Sequence, residues 1–142
     1  MHARRPRGRR IAALLLWAWL GPAATAAALD IDATNLAPDD VAATQALVDD
    51  VLSRLPAIWR DGLPSDLLLQ WRDDLPPHVA GRRSGHRILL PRRLLQAWQA
   101  RDAVPPDDAS LRGVREALVH ELAHSYDRAQ GNVLSGDPRL RD

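Results

Sequence analysis

Apolar residues return at three- and four-residue steps in three stretches of this chain, and each stretch reads as a helix with one side to bury. Asp39 to Leu55 sets Val41, Leu47, Val48, Val51, Leu52 and Leu55 in that rhythm, with acids early and Arg54 late, as the helix dipole favours. Pro56 stops it, because proline has no N–H to continue the ladder. Arg92 to Arg101 repeats the rhythm with Leu94, Leu95 and Trp98. The longest stretch, Ser110 to Gln130, carries Leu111, Val114, Leu118, Leu122 and Tyr126 along one side. Asp107, Asp108 and Ser110 offer capping oxygens at its start, and Gly131 is a natural stop at its end.

Between these helices the period changes. Asp66 to Trp71 (DLLLQW) is a short apolar run bounded by turn residues and predicts a strand. Val79 and Ala80, then GRRSG, then Arg87 to Leu90 predict a loop or hairpin entering a second strand, which Pro91 closes because it cannot donate to a sheet ladder. Residues 29–38 read as an extended lead-in and residues 57–64 as a connection broken by Gly62 and Pro64. The expectation is an α+β domain, a small sheet packed against helices with a long helix at its C-terminal end.

The first 28 residues follow another logic. Met1 to Arg10 holds five arginines and no acid, Ile11 to Leu20 is apolar, Gly21 and Pro22 break the run, and alanines lead to Ala26-Ala27-Ala28. That order is the pattern of a secretory signal peptide cleaved after Ala28, which leaves residues 29–142 as one domain in the periplasm or outside the cell. The apolar core is too short to be a comfortable membrane anchor, and no later segment is long and apolar enough to span a bilayer. All 18 acids follow Ala28 while five of the 19 basic residues precede it, so the remainder carries 14 arginines against 18 acids, a net of −4. The basic balance of the whole chain therefore belongs to its leader, and nothing points to a nucleic-acid partner. Cysteine and lysine are absent; a metal in this chain must be held by His, Asp or Glu.

The last predicted helix contains His120-Glu121-Leu122-Ala123-His124, an H-E-x-x-H sequence. Histidines four residues apart stand one turn apart on one face, the spacing at which two imidazoles can share one zinc ion. Glu121 projects about 100° round the helix from His120. There it stands beside the metal, able to take a proton from a metal-bound water and pass it to a leaving amine. The chain has only two glutamates, Glu116 and Glu121, and one of them falls inside the motif.

The stretch HELAHSYD resembles the active-site helix of zincin metallopeptidases. Asp127, three residues after the second histidine, and the following LSGDP resemble the gluzincin group around anthrax lethal-factor-type toxins and related secreted bacterial proteins. The resemblance implies a zincin-like fold, zinc as cofactor, a peptide or protein as substrate, His120 and His124 as zinc ligands and Glu121 as general base. It also implies an edge strand that holds the substrate extended; Arg87 to Leu90 is the candidate, with an ordinary core strand as the alternative. Asp127 fits a residue behind the ligands that accepts a ring N–H, or an acid paired with Arg128 or Arg139 in water. Glu116 shares that face, as an outer partner or as a solvated helix charge.

A catalytic zinc takes three protein ligands and a water. The gluzincin pattern places the third on a later helix, whereas here no Glu follows Glu121 and no His follows His124. His78, His86, Asp137 and Asp142 remain as recruits outside that rule. The chain therefore reads as the N-terminal part of a zincin-like domain, incomplete after its active-site helix. Two further readings stay open, an exported metal-binding module without turnover and a structural envelope protein without metal.

Overall fold

The structure, a computed structural model, describes residues 29–133. The leader with its cleavage site, and Asp137, Arg139 and Asp142, lie outside the described residues. Asp30–Ile31 form strand β1 and Pro38–Arg54 helix α1, followed by a five-residue helix α2, Ala57–Asp61. Strands β2 (Leu68–Arg72), β3 (Arg82–Ser84) and β4 (Arg87–Pro91) come next. Helix α3 (Arg92–Gln99), a single 3-10 turn at Arg101–Ala103 and helix α4 (Ala109–Ala129) complete the order. The α+β expectation holds at this level, a four-stranded sheet with helices against it.

Prolines place the boundaries of α1. Pro38 sits in the first turn, where its missing N–H costs nothing, and Asp39 and Asp40 follow beside the positive helix end. Leu55 is extended (φ −74°, ψ 141°) because the residue before a proline avoids the helical region. Pro56 then starts α2, in a stretch expected as a plain connection. What makes it a helix is tertiary: Trp59 stacks nearly parallel on Tyr126 of α4, ring centroids 5.3 Å apart.

The sheet runs β1-β2-β4-β3, with β1, β2 and β4 parallel and β3 antiparallel to β4. The lead-in thus supplies a two-residue strand, Asp30 and Ile31 pairing with Leu68 and Leu69. Leu67, Leu69 and Trp71 alternate onto the core face, and Ile88 and Leu90 stand opposite Leu69 and Trp71 on the neighbouring strand. Against them pack Leu47, Val48 and Val51 from α1, Leu95 and Trp98 from α3, and Leu111, Val114, Leu118 and Leu122 from α4, in one continuous core.

Two details correct the expected hairpin. The turn is Gly85-His86 alone, and Arg82–Ser84, expected within the turn, is the strand that pairs with Arg87, Ile88 and Leu89. Gly85, at φ 63°, supplies the left-handed backbone that a two-residue hairpin turn demands at its first position. With β2 on one side and β3 on the other, Arg87–Leu90 is an interior strand, and among the described strands the edges of the sheet are β1 and β3.

One buried polar contact joins sheet to helix. The Trp71 indole N–H donates to Thr44 Oγ1 (2.9 Å), and that hydroxyl donates back to the Asp40 carbonyl (2.6 Å). Thr44 is fully buried, so a substitution that removes the acceptor leaves an N–H unpaired in the core. Thr44→Val should therefore cost about 1–3 kcal/mol in urea unfolding, whereas Thr44→Ser, which keeps the oxygen, should lie closer to the parent. Equal losses for the two variants would show that the contact contributes little.

Candidate metal and proton-transfer site

Helix α4 is fixed at both ends. The Asp108 side chain accepts from the Ser110 backbone N–H (2.8 Å) and from its hydroxyl (2.5 Å), capping the first turn. At the far end Gly131 takes φ 82°, its N–H reaches the Arg128 carbonyl, and the Asn132 N–H reaches the Asp127 carbonyl (2.8 Å). That pair of bonds is a Schellman stop, and it closes the helix just beyond the H-E-x-x-H turn.

The helix's orientation sorts the motif. Val114, Leu118 and Leu122 face the core, and Glu121 and Ser125 are buried with them. His120 and His124 therefore emerge on the outer face, both exposed. Their Nε2 atoms lie 3.0 Å apart, with the rings edge-on at 88° and centroids 4.5 Å apart. A tetrahedral ion bonded at 2.0–2.1 Å to two imidazoles would separate their nitrogens by about 3.3 Å. As it stands, 3.0 Å is a hydrogen bond between the two rings, one Nε2 donating to the other, and a shared ion would need that proton released and the nitrogens moved apart by a few tenths of an ångström.

Glu121 is only 4% exposed. Burial raises its carboxyl above the ordinary value of 4.5, and the neighbouring His120, His124 and Arg83 oppose that rise without cancelling it. Its carboxylate lies against Gly81, the residue just before β3. The same strand is tied to α4 one turn further on, where Arg83 donates to the His124 carbonyl (3.0 Å). Its other donor bond, to the Gly85 carbonyl, holds the guanidinium across the hairpin (3.0 Å). Neither Gly81 nor Arg83 stands out in the sequence: both fall in GRRSG, whose glycines and charges look like a solvated turn.

Asp127 is buried, 6% exposed. Glu116 is exposed, as a solvated helix charge would be. His78 and His86 are exposed as well. Among the described residues no group of three or more His, Asp or Glu side chains is placed to hold a metal together, so His78 and His86 do not join the pair. Nor does the pair line the nearby clefts. One of about 430 Å³ is bordered by Asn35, Gln70 to Asp74 and Arg92, and another of about 320 Å³ by Asp66, Arg83, His86 and Arg128. His120 and His124 are exposed, and the His124 carbonyl is where Arg83 of β3 meets α4. Among the described residues no helix is long and apolar enough to cross a membrane.

Residues 28–140 match the family described as a domain of unknown function, DUF7844, a description that assigns no activity. Neither the curated proteins nor the solved structures contain a match.

The burial of Glu121 has a thermodynamic consequence. A carboxyl whose folded pKa is raised contributes stability that is present below its unfolded pKa and is lost as pH rises through the folded value. Glu121→Gln cannot ionise, so with chelator present it should melt higher than the parent near pH 7, and the gap should close as pH falls toward about 4. A gap that does not change with pH would mean that the carboxyl is not destabilised by burial.

Proposed function

The chain belongs to the DUF7844 family, and we propose that it is an exported zinc-dependent hydrolase of peptide bonds with a zincin-like arrangement of helix and sheet edge. The observation that carries this reading is the pairing of two imidazole nitrogens 3.0 Å apart with a buried carboxyl on the same helical turn. A zinc ion held there would supply Lewis acidity to a carbonyl oxygen and to water. His120 and His124 would provide two of its ligands. Glu121 accepts the proton of the attacking water at its carboxylate and delivers it to the leaving nitrogen. A raised pKa suits that work, since a base poised closer to neutrality can both take and return a proton.

Strand β3 supports a substrate role for the adjoining surface. It is the last strand of the sheet, it runs antiparallel to its one partner among the described strands, and Arg83 anchors it beside His124. An extended peptide can add to such an edge through main-chain hydrogen bonds and so cross in front of the histidines. Asp127, buried one turn past His124, is the residue we place behind the ligands to steady a ring tautomer. Export rests on the arginine-rich, then apolar, then alanine-rich order of residues 1–28. The open setting of the histidine pair favours one second reading, an exported metal-binding module without turnover.

Zinc should raise the melting temperature of the parent by mass action, and His120→Ala or His124→Ala should abolish that rise. Glu121→Gln should keep the zinc-induced rise and lose at least about 100-fold in cleavage of a peptide library. Cleavage by Glu121→Gln at the parent rate would remove Glu121 from the mechanism. Zinc binding by the parent without any cleavage would leave the metal-binding module as the function.

A further inference from the structure

We infer that Gly81 is a positioning residue for Glu121: its missing side chain forms the recess in which the Glu121 carboxylate rests. This rests on the role given to Glu121 above. A Cβ at position 81 would stand 2.8 Å from Glu121 Oε1, 2.9 Å from its Cγ and 3.1 Å from its carboxyl carbon. Real Cβ atoms do not approach other atoms that closely, so any other residue at position 81 moves the carboxylate.

The usual reason for a glycine does not apply here. Among the described glycines, left-handed backbone occurs at Gly85 and Gly131, and Gly81 is not one of them. Its backbone could be adopted by alanine without strain. What alanine cannot do is share the space with Glu121. The atoms in conflict run from Cγ to the carboxylate of a side chain with rotatable bonds, so the fold can yield by turning Glu121 to another rotamer. The expected damage therefore falls on carboxylate placement more than on folding. Strand and helix are also held together next to this contact by Arg83 on His124, which keeps the backbone of residue 81 from backing off.

A double-mutant cycle tests the contact without any assumption about activity. Gly81→Ala should lower the melting temperature in the parent and leave it unchanged, or raise it, when Glu121 is already Ala. Additive effects would overturn the inference. Cleavage then reads the positioning. Gly81→Ala should keep its zinc-induced rise in melting temperature and hold KM within about 3-fold while losing about 10- to 100-fold in kcat, since a displacement near 1 Å can cost that much. As a control, Gly113→Ala, whose added Cβ meets open space on α4, should raise the melting temperature and leave kcat alone. A parent that cleaves and a Gly81→Ala variant with unchanged kcat would overturn the inference and spare the proposed function. A parent that never cleaves would overturn the proposed function, and the stability cycle would still decide whether Gly81 seats the carboxylate.

Discussion

The apolar side of α4 has to be buried, and everything about the site follows from how that requirement is met. Successive residues of a helix point about 100° apart, so once Val114, Leu118 and Leu122 are turned into the core the remaining directions are settled. His120 and His124 emerge outward. Glu121, between them in sequence, is carried round to the sheet side and loses nearly all its contact with water. Two polar roles in one five-residue stretch are thus separated by geometry alone: nitrogens offered to solvent, and a carboxyl withheld from it.

Withholding a carboxyl costs stability, and the fold places compensation nearby. Arg83 and the two neighbouring histidines favour the charged carboxylate of Glu121, yet burial still dominates and the proton is held more tightly than usual. Other acids of the domain meet the opposite fate. Burial works against the charge on Asp50 too, but hydrogen bonds from Arg115 of α4 and from Arg54 outweigh it and keep that carboxyl below its ordinary range. Arg115 joins α4 to α1 through that bond (2.7 Å) and also lies over the Trp98 ring, 5.2 Å from its centre. An acid whose partners bond it directly stabilises the packing. Glu121, opposed only by charges nearby, keeps a carboxyl pKa above its ordinary value.

The sheet edge contributes what the helix cannot. Strand β3 has three residues, and a strand so short would not hold its place by ladder bonds alone. The Gly85-His86 turn sets its register against β4, Arg83 fastens it to the His124 carbonyl, and Gly81 lets its first approach to α4 close over Glu121. These contacts bring the β3 edge against α4 at His124.

Much of this was legible along the chain. The three long helices, the two apolar strands, the caps Asp108 and Gly131 and the core residues of α4 follow from period and composition, because each depends on neighbours within a few positions. The H-E-x-x-H pair is legible for the same reason, since its geometry belongs to a single helix. The rest was decided by partners far away in sequence. Asp30 and Ile31 became a strand because Leu68 and Leu69 were there to pair with. Residues 57–61 became a helix with Trp59 stacked on Tyr126. Arg82–Ser84 took the sheet edge from Arg87–Leu90, because a short polar run can be a strand when a neighbouring ladder supplies its bonds. The depth of Glu121, the burial of Asp127 and the need for a glycine at position 81 depend on which surfaces meet across the fold. A one-dimensional pattern records which side of a helix is apolar, but not what stands opposite the residues on its border.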